Sequence, residues 1–101
     1  MARGDAPLGD VATRVLFEND KVKIWSLEIA PGDASDWHLH EWDYVTVSVE
    51  GEHLIRELED GTAEDVAFEP GRWTYHAGPE VHRVINDSKV PWQNILIEIK
   101  G

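Results

Sequence analysis

A chain of 101 residues with twenty Asp+Glu against nine Lys+Arg carries a formal charge of −11, which makes phosphate backbones and anionic lipid poor partners. Hydrophobic residues at 42% and charged residues at 29% fit one globular domain with one core, and the lack of cysteine excludes disulfides, thiolate nucleophiles and cysteine-based zinc sites. No apolar run approaches the roughly 20 residues that cross a bilayer, and MARGDAPLGD lacks a signal-peptide stretch. The expectation is a cytoplasmic protein with no nucleic-acid and no membrane partner.

Residues 1–12, with Gly4, Pro7 and Gly9, read as an arm, mobile or docked on a partner subunit, ahead of one domain over 13–101. Val15–Phe17 is a short apolar run ended by Asn19-Asp20. Val22–Ile29 alternates with period two until Pro31-Gly32. Trp37–Glu50 reads as one long extended segment ended by Gly51. His53–Leu58 leads to the Asp60-Gly61 hairpin signal, and Ala63–Phe68 runs into Pro70-Gly71. Trp73–His76, Val81–Ile85 and Asn94–Ile99 complete the series. About eight short strands with turns between them, and no helical stripe, predict an all-β sandwich or barrel.

Histidine is where chemistry concentrates. His38-Leu39-His40 on a strand places both imidazoles on one face. Such a pair can bite one metal ion, and a third imidazole from a neighbouring strand would leave open positions suited to Fe, Mn, Ni or Zn. The competing reading is a pair of solvent-facing histidines. On a regular strand Trp42, Tyr44, Thr46 and Ser48 share the parity of the pair, whereas Val45, Val47 and Val49 line the opposite face. An aromatic and polar strip beside histidines suits a small-molecule pocket; it can equally be core packing with satisfied hydroxyls.

Gly32, five residues, His38-Leu39-His40 and then Gly51 read Gly-x5-His-x-His…Gly, and Gly78 to Asn86 reads Gly-x3-His-x3-Asn. These segments resemble the two-part motif of the cupin superfamily, and the likeness runs from about Val15 to Ile99. More narrowly, HLHEWDYVTVSVEGE and PGRWTYHAGPEVHRVIND resemble small single-domain bacterial cupins, some of them assigned to β-alanine degradation. The resemblance implies a jelly-roll-like, double-stranded β-helix barrel and a divalent metal held by His38, His40 and His82. The family's glutamate ligand falls on Tyr44, a rare ligand whose phenol has a reference pKa near 10. Asp43 and Glu41 have the wrong parity to replace it.

Three arrangements stay open: a three-histidine site as in the thiol dioxygenases, a site completed by His76 or a shifted Asp43, and a metal-free pocket. In the first, Tyr44 is a donor or proton-transfer group and Trp42, Thr46, Ser48 and His76 form the substrate pocket. The function expected is a metalloenzyme, oxygenase- or isomerase-like, acting on a small polar or carboxylate molecule. The alternative is a non-catalytic small-molecule binder. The valine face calls for cover, which small cupins provide by forming a homodimer. Trp37, Trp73 and Tyr75 wall either the pocket or that interface, whereas Trp25 and Trp92 read as packing. Arg56 and Arg72 read as partners for surface acids, with an inward arginine the route to carboxylate recognition. Arg83 points away from His82, His53 reads as surface, and Asn86 fixes a turn.

Overall fold

The computed structural model describes Gly4 and residues 7–101, so Met1–Arg3, Asp5 and Ala6 of the expected arm lie outside the described residues. Nine strands form among the described residues, all paired antiparallel: β1 (Arg14–Glu18), β2 (Val22–Ile29), β3 (His38–His40), β4 (Asp43–Glu50), β5 (His53–Leu58), β6 (Ala63–Ala67), β7 (Trp73–His76), β8 (Glu80–Ile85) and β9 (Trp92–Ile99). One sheet has the order β1-β2-β9-β4-β7, the other β3-β8-β5-β6. The two face each other as a jelly-roll barrel, the double-stranded β-helix architecture. Among the described residues no helix is long and apolar enough to cross a membrane.

Period-two alternation decides what points inward. On β9 Trp92, Asn94, Leu96 and Glu98 are buried while Gln93, Ile95 and Ile97 are only half-buried. Trp25, Leu27 and Ile29 of β2 join Tyr44, Leu54, Val84, Trp92 and Leu96 in the core between the sheets. Residues ahead of β1 dock on the barrel too: Leu8 bridges Trp37, Gly9 N–H donates to the Trp37 carbonyl at 2.7 Å, and Ala12 is buried.

The long strand expected over Trp37–Glu50 is two strands in two different sheets. The chain turns a barrel corner at Glu41-Trp42, between β3 and β4. Asp43 holds that corner, since its carboxylate accepts the Gly78 N–H at 3.0 Å and the Tyr75 hydroxyl. Gly78 packs so closely on the Trp42 carbonyl that a Cβ would collide with it. Alternation alone does not distinguish a straight strand from one that switches sheets at a corner.

Candidate metal centre

Three imidazoles meet at one end of the barrel. His38 and His40 come from β3 and His82 from β8; the two strands pair directly, with His38 opposite His82. Each offers one ring nitrogen, and these lie within 4.8 Å of one another. All three rings are buried, His40 completely. His40 Nε2 and His82 Nε2 stand 3.0 Å apart. Two nitrogens each about 2.1 Å from one ion are separated by roughly 3.0–3.4 Å, so this spacing fits shared coordination.

Protonation favours the same use. Burial, reinforced by His82, pulls His38 down to about 4, and burial with His82 and His38 pulls His40 down to about 2. Both are neutral near pH 7, the form that ligates a metal. His38 Nδ1–H donates to the Asp36 carbonyl at 2.8 Å, which leaves its Nε2 lone pair free. His40 Nδ1 is buried with no hydrogen-bond partner. Three convergent imidazoles, two of them held neutral by burial, are a donor set that fits Fe, Mn, Ni or Zn.

Tyr44, at the family's glutamate position, is 1% exposed and stacks on His40 with ring centroids 3.8 Å apart. Its hydroxyl donates to Glu80 Oε1 at 2.9 Å. Burial, followed by the Glu80 charge and hydrogen bond, raises the phenol well above its ordinary value, so it stays protonated.

Glu80 is the functional residue that sequence reading missed. It sits two residues before His82 on β8 and opposite His40 on β3. Its Oε1 also lies 2.8 Å from His82 Nδ1, a close contact off the axis of an aligned hydrogen bond, and its Oε2 pairs with Arg56. Burial opposes its charge, but His82, Arg56 and Tyr44 together hold the carboxyl well below the usual carboxylate range. The carboxylate of this site therefore stands behind a ligand candidate instead of beside it. Period two was the available signal, since Glu80 shares the face of His82.

The other expected site residues divide. Thr46, Ser48 and His76 line a cavity of about 220 Å3 between the sheets, together with His38, His82 and Tyr44. Thr46 Oγ1 lies 2.6 Å from Thr74 Oγ1, which lies 3.0 Å from His76 Nε2. His76 stacks on Tyr44 at 4.7 Å and stays outside the three-histidine group. Asp43 is spent on the corner described above and does not approach the histidines.

Trp42 is not among the lining residues; it sits at the corner with Lys100 Nζ 6.0 Å over its ring, because the corner cancels the parity it was assumed to share. Trp37 packs under Arg83, outside the cavity. Trp73 and Tyr75 are exposed on the outer face of β7. Arg56 partners an exposed acid, Glu64, as expected, but also faces inward to Glu80; Arg72 is exposed at the mouth of the cavity that it helps to line. His53 lies 2.6 Å from Asp87 and outside the cavity, and buried Asn86 ties Ile29 and Val90 together through their carbonyls.

No family model matches the chain, and no curated protein matches it significantly. Solved structures do. A cupin domain from Bordetella pertussis is 30% identical with a TM-score of 0.81, over 97% of this chain and 100% of that one. A Cupin 2 conserved barrel domain protein from Salinispora arenicola is 18% identical with a TM-score of 0.70, over 100% and 86%. A protein with a double-stranded β-helix domain from Klebsiella pneumoniae is 17% identical with a TM-score of 0.70, over 86% and 70%. The last two bear on the fold alone, but the first joins sequence to architecture along its full length: the chain belongs to the cupin superfamily.

Proposed function

We propose that this cupin is a metalloenzyme in which His38, His40 and His82 hold one Fe, Mn, Ni or Zn ion and a small polar molecule enters the cavity beside them. The observation that carries the reading is a buried three-imidazole cluster, two of whose members, His38 and His82, line a cavity between the sheets. Such an ion would supply Lewis acidity, and Fe or Mn would add redox chemistry, which suits an oxygenase or isomerase. The protein's own part is orientation and hydrogen bonding. Glu80 stays ionised, too weakly basic to act as a general base, and fixes the Tyr44 hydroxyl, whose oxygen can still accept from a polar molecule in the cavity. His76, stacked on Tyr44, walls the approach.

The engagement of Tyr44 by Glu80 also favours a second reading, a binding protein with no turnover. Compounds of β-alanine degradation are one group to try, on the strength of the two segments that resemble such cupins. The absence of cysteine supports a cytoplasmic location.

The test is elemental analysis of untagged protein purified without chelator, beside His40→Ala. Near-stoichiometric metal in the wild type, lost in the variant, is expected. Full occupancy in the variant, or a wild type that takes up no metal after anaerobic reconstitution, overturns the site. Oxygen consumption or isomer formation with small acids and thiols then separates enzyme from binder.

We also propose that two copies pair through the outer face of the five-stranded sheet. Cross-strand partners share a face, and Val45 pairs with Tyr75 and Ile97 while Val47 pairs with Trp73 and Ile95. Trp73 is 69% and Tyr75 54% exposed, and none of these six side chains carries charge. An uncharged apolar face on so acidic a chain is where two copies meet with least repulsion. Light scattering should give a dimer at micromolar concentration and a monomer for Trp73→Glu. A monomeric wild type sinks the proposal.

A further inference from the structure

The cavity has a second polar end that neither the histidines nor the core requires. Along β4, Tyr44 marks the level of the imidazoles, and Ser48 lies four residues further, about 13 Å at strand rise. At that level Ser48 is flanked by Asn94 on β9, its direct cross-strand partner, and by Arg72, whose carbonyl accepts the Ser48 N–H at 2.9 Å. Trp92 is two residues from Asn94 on the same inward face. All four line the cavity.

Their polar atoms are unspent. Trp92 is 2% exposed and Asn94 7%, yet Trp92 Nε1 and Asn94 Oδ1 are buried with no hydrogen-bond partner. Leaving such a group unpaired costs about 1–3 kcal/mol, and a buried donor with no partner, the Trp92 N–H, points to a ligand that brings it an acceptor. Gly51 backs onto the benzo edge of Trp92, where a Cβ would collide with Cε3; the pyrrole N–H edge is on the ring's other side. Ser48 Oγ makes no hydrogen bond, and Arg72 no ion pair, among the described residues. That is unusual in a chain of net charge −11. The acids that also line the cavity are engaged elsewhere: Glu64 with Arg56, and Asp65 3.4 Å from His53 Nε2.

We propose that Arg72, Ser48, Trp92 and Asn94 form a carboxylate-binding subsite at the end of the cavity remote from the histidines. It rests on the reading that the cavity takes a small molecule, and it gives that molecule a class: a short carboxylic acid whose other end reaches the imidazoles. Guanidinium, hydroxyl and indole N–H are all donors, and the Asn94 amide can turn its NH2 group inward. An apolar middle built by Leu27, Leu54 and Leu96 separates the two ends and disfavours a ligand charged along its whole length.

The experiment uses metal-free protein, so that a carboxylate has no ion to bind and failure here is distinct from failure of the metal site. Glutarate is titrated into 15N-labelled protein while the five indole N–H resonances are followed. The Trp92 signal is assigned through its ring contacts to Gly51 and Phe68, without a Trp92 variant. Saturable movement of the Trp92 resonance is expected, with Kd raised tenfold or more by Arg72→Gln, raised by Ser48→Ala, and no binding of neutral glutaramide. Arg72 is exposed, so its variant leaves the core intact. Equal binding of glutaramide, an unchanged Kd in Arg72→Gln, or a Trp92 resonance that glutarate does not move each overturns the proposal.

Discussion

Bringing the metal-free protein from pH 7 to pH 5 is expected to remove about 4 kcal/mol of stability. His38 and His40 are buried in neutral form, with pKa values near 4 and 2. In the unfolded chain both return to about 6.5. Between 6.5 and the folded values the unfolded state binds protons that the folded state refuses, so stability falls as pH falls. At about 1.36 kcal/mol per unit, 1.5 units of that window cost each histidine about 2 kcal/mol. Domain stabilities of about 5–15 kcal/mol make this a loss visible in any melt. His76, lowered by burial, works in the same direction. His53 opposes it, since its hydrogen bond to Asp87 raises its pKa, but its side chain lies 32% exposed near the surface, where solvent screens the effect. Urea midpoints at pH 7 and 5 measure the slope, and His38→Gln with His40→Gln should flatten it. A wild type equally stable at both values would show that the imidazoles are not buried as described. Bound metal, by holding the neutral forms, should move the loss to lower pH.

Period two carried most of the fold. The expected limits of Val22–Ile29, His53–Leu58 and Trp73–His76 are those of β2, β5 and β7. Two strands that begin earlier than the alternation predicts follow a proline. The alternation predicts strands from Val81 and from Asn94, whereas β8 begins at Glu80, directly after Pro79, and β9 at Trp92, directly after Pro91. Proline reads as a turn, yet it sits comfortably just before a strand, where no ladder N–H is needed. The residues this leaves out of the strands include Glu80, 2.8 Å from His82 Nδ1, and Trp92, whose N–H is buried without a partner. The three ligand candidates were legible because the His-x-His pair and the Gly-x3-His segment carry their own geometry. What surrounds them was not, since a carboxylate 36 residues from Tyr44 reaches it only through the pairing of sheets. The corner at Glu41-Trp42 explains why Tyr44 faces the cavity while Trp42 does not.

Glu80→Ala should weaken metal binding 10–100-fold without touching a candidate ligand. Three groups depend on that carboxylate: the Tyr44 hydroxyl at 2.9 Å, His82 Nδ1 at 2.8 Å and the Arg56 guanidinium. A carboxylate behind a metal-binding imidazole fixes its tautomer and raises its basicity, and losing such a partner costs affinity on this scale. His82 feels that loss directly: without the carboxylate 2.8 Å from its Nδ1, the ring loses its closest charged neighbour on the side away from His40. Arg56 is left with Glu64 alone, inside a wall where its Nε already lacks a partner. Stability should therefore fall by about 3 kcal/mol, the low end for a buried charge that loses its partner. Glu80→Gln separates the two roles, because its amide oxygen can still accept from Tyr44 and lie beside His82 while the charge opposite Arg56 is gone. Competition with a chromophoric chelator for Zn or Co reads the affinity, and the visible spectrum of bound Co reads the geometry at the ion. The variant series should order wild type, Gln, Ala in affinity, with the Co spectrum altered in Ala. Equal affinity across all three would mean that Glu80 serves only the Arg56 ion pair, and that the three imidazoles hold their positions by packing alone.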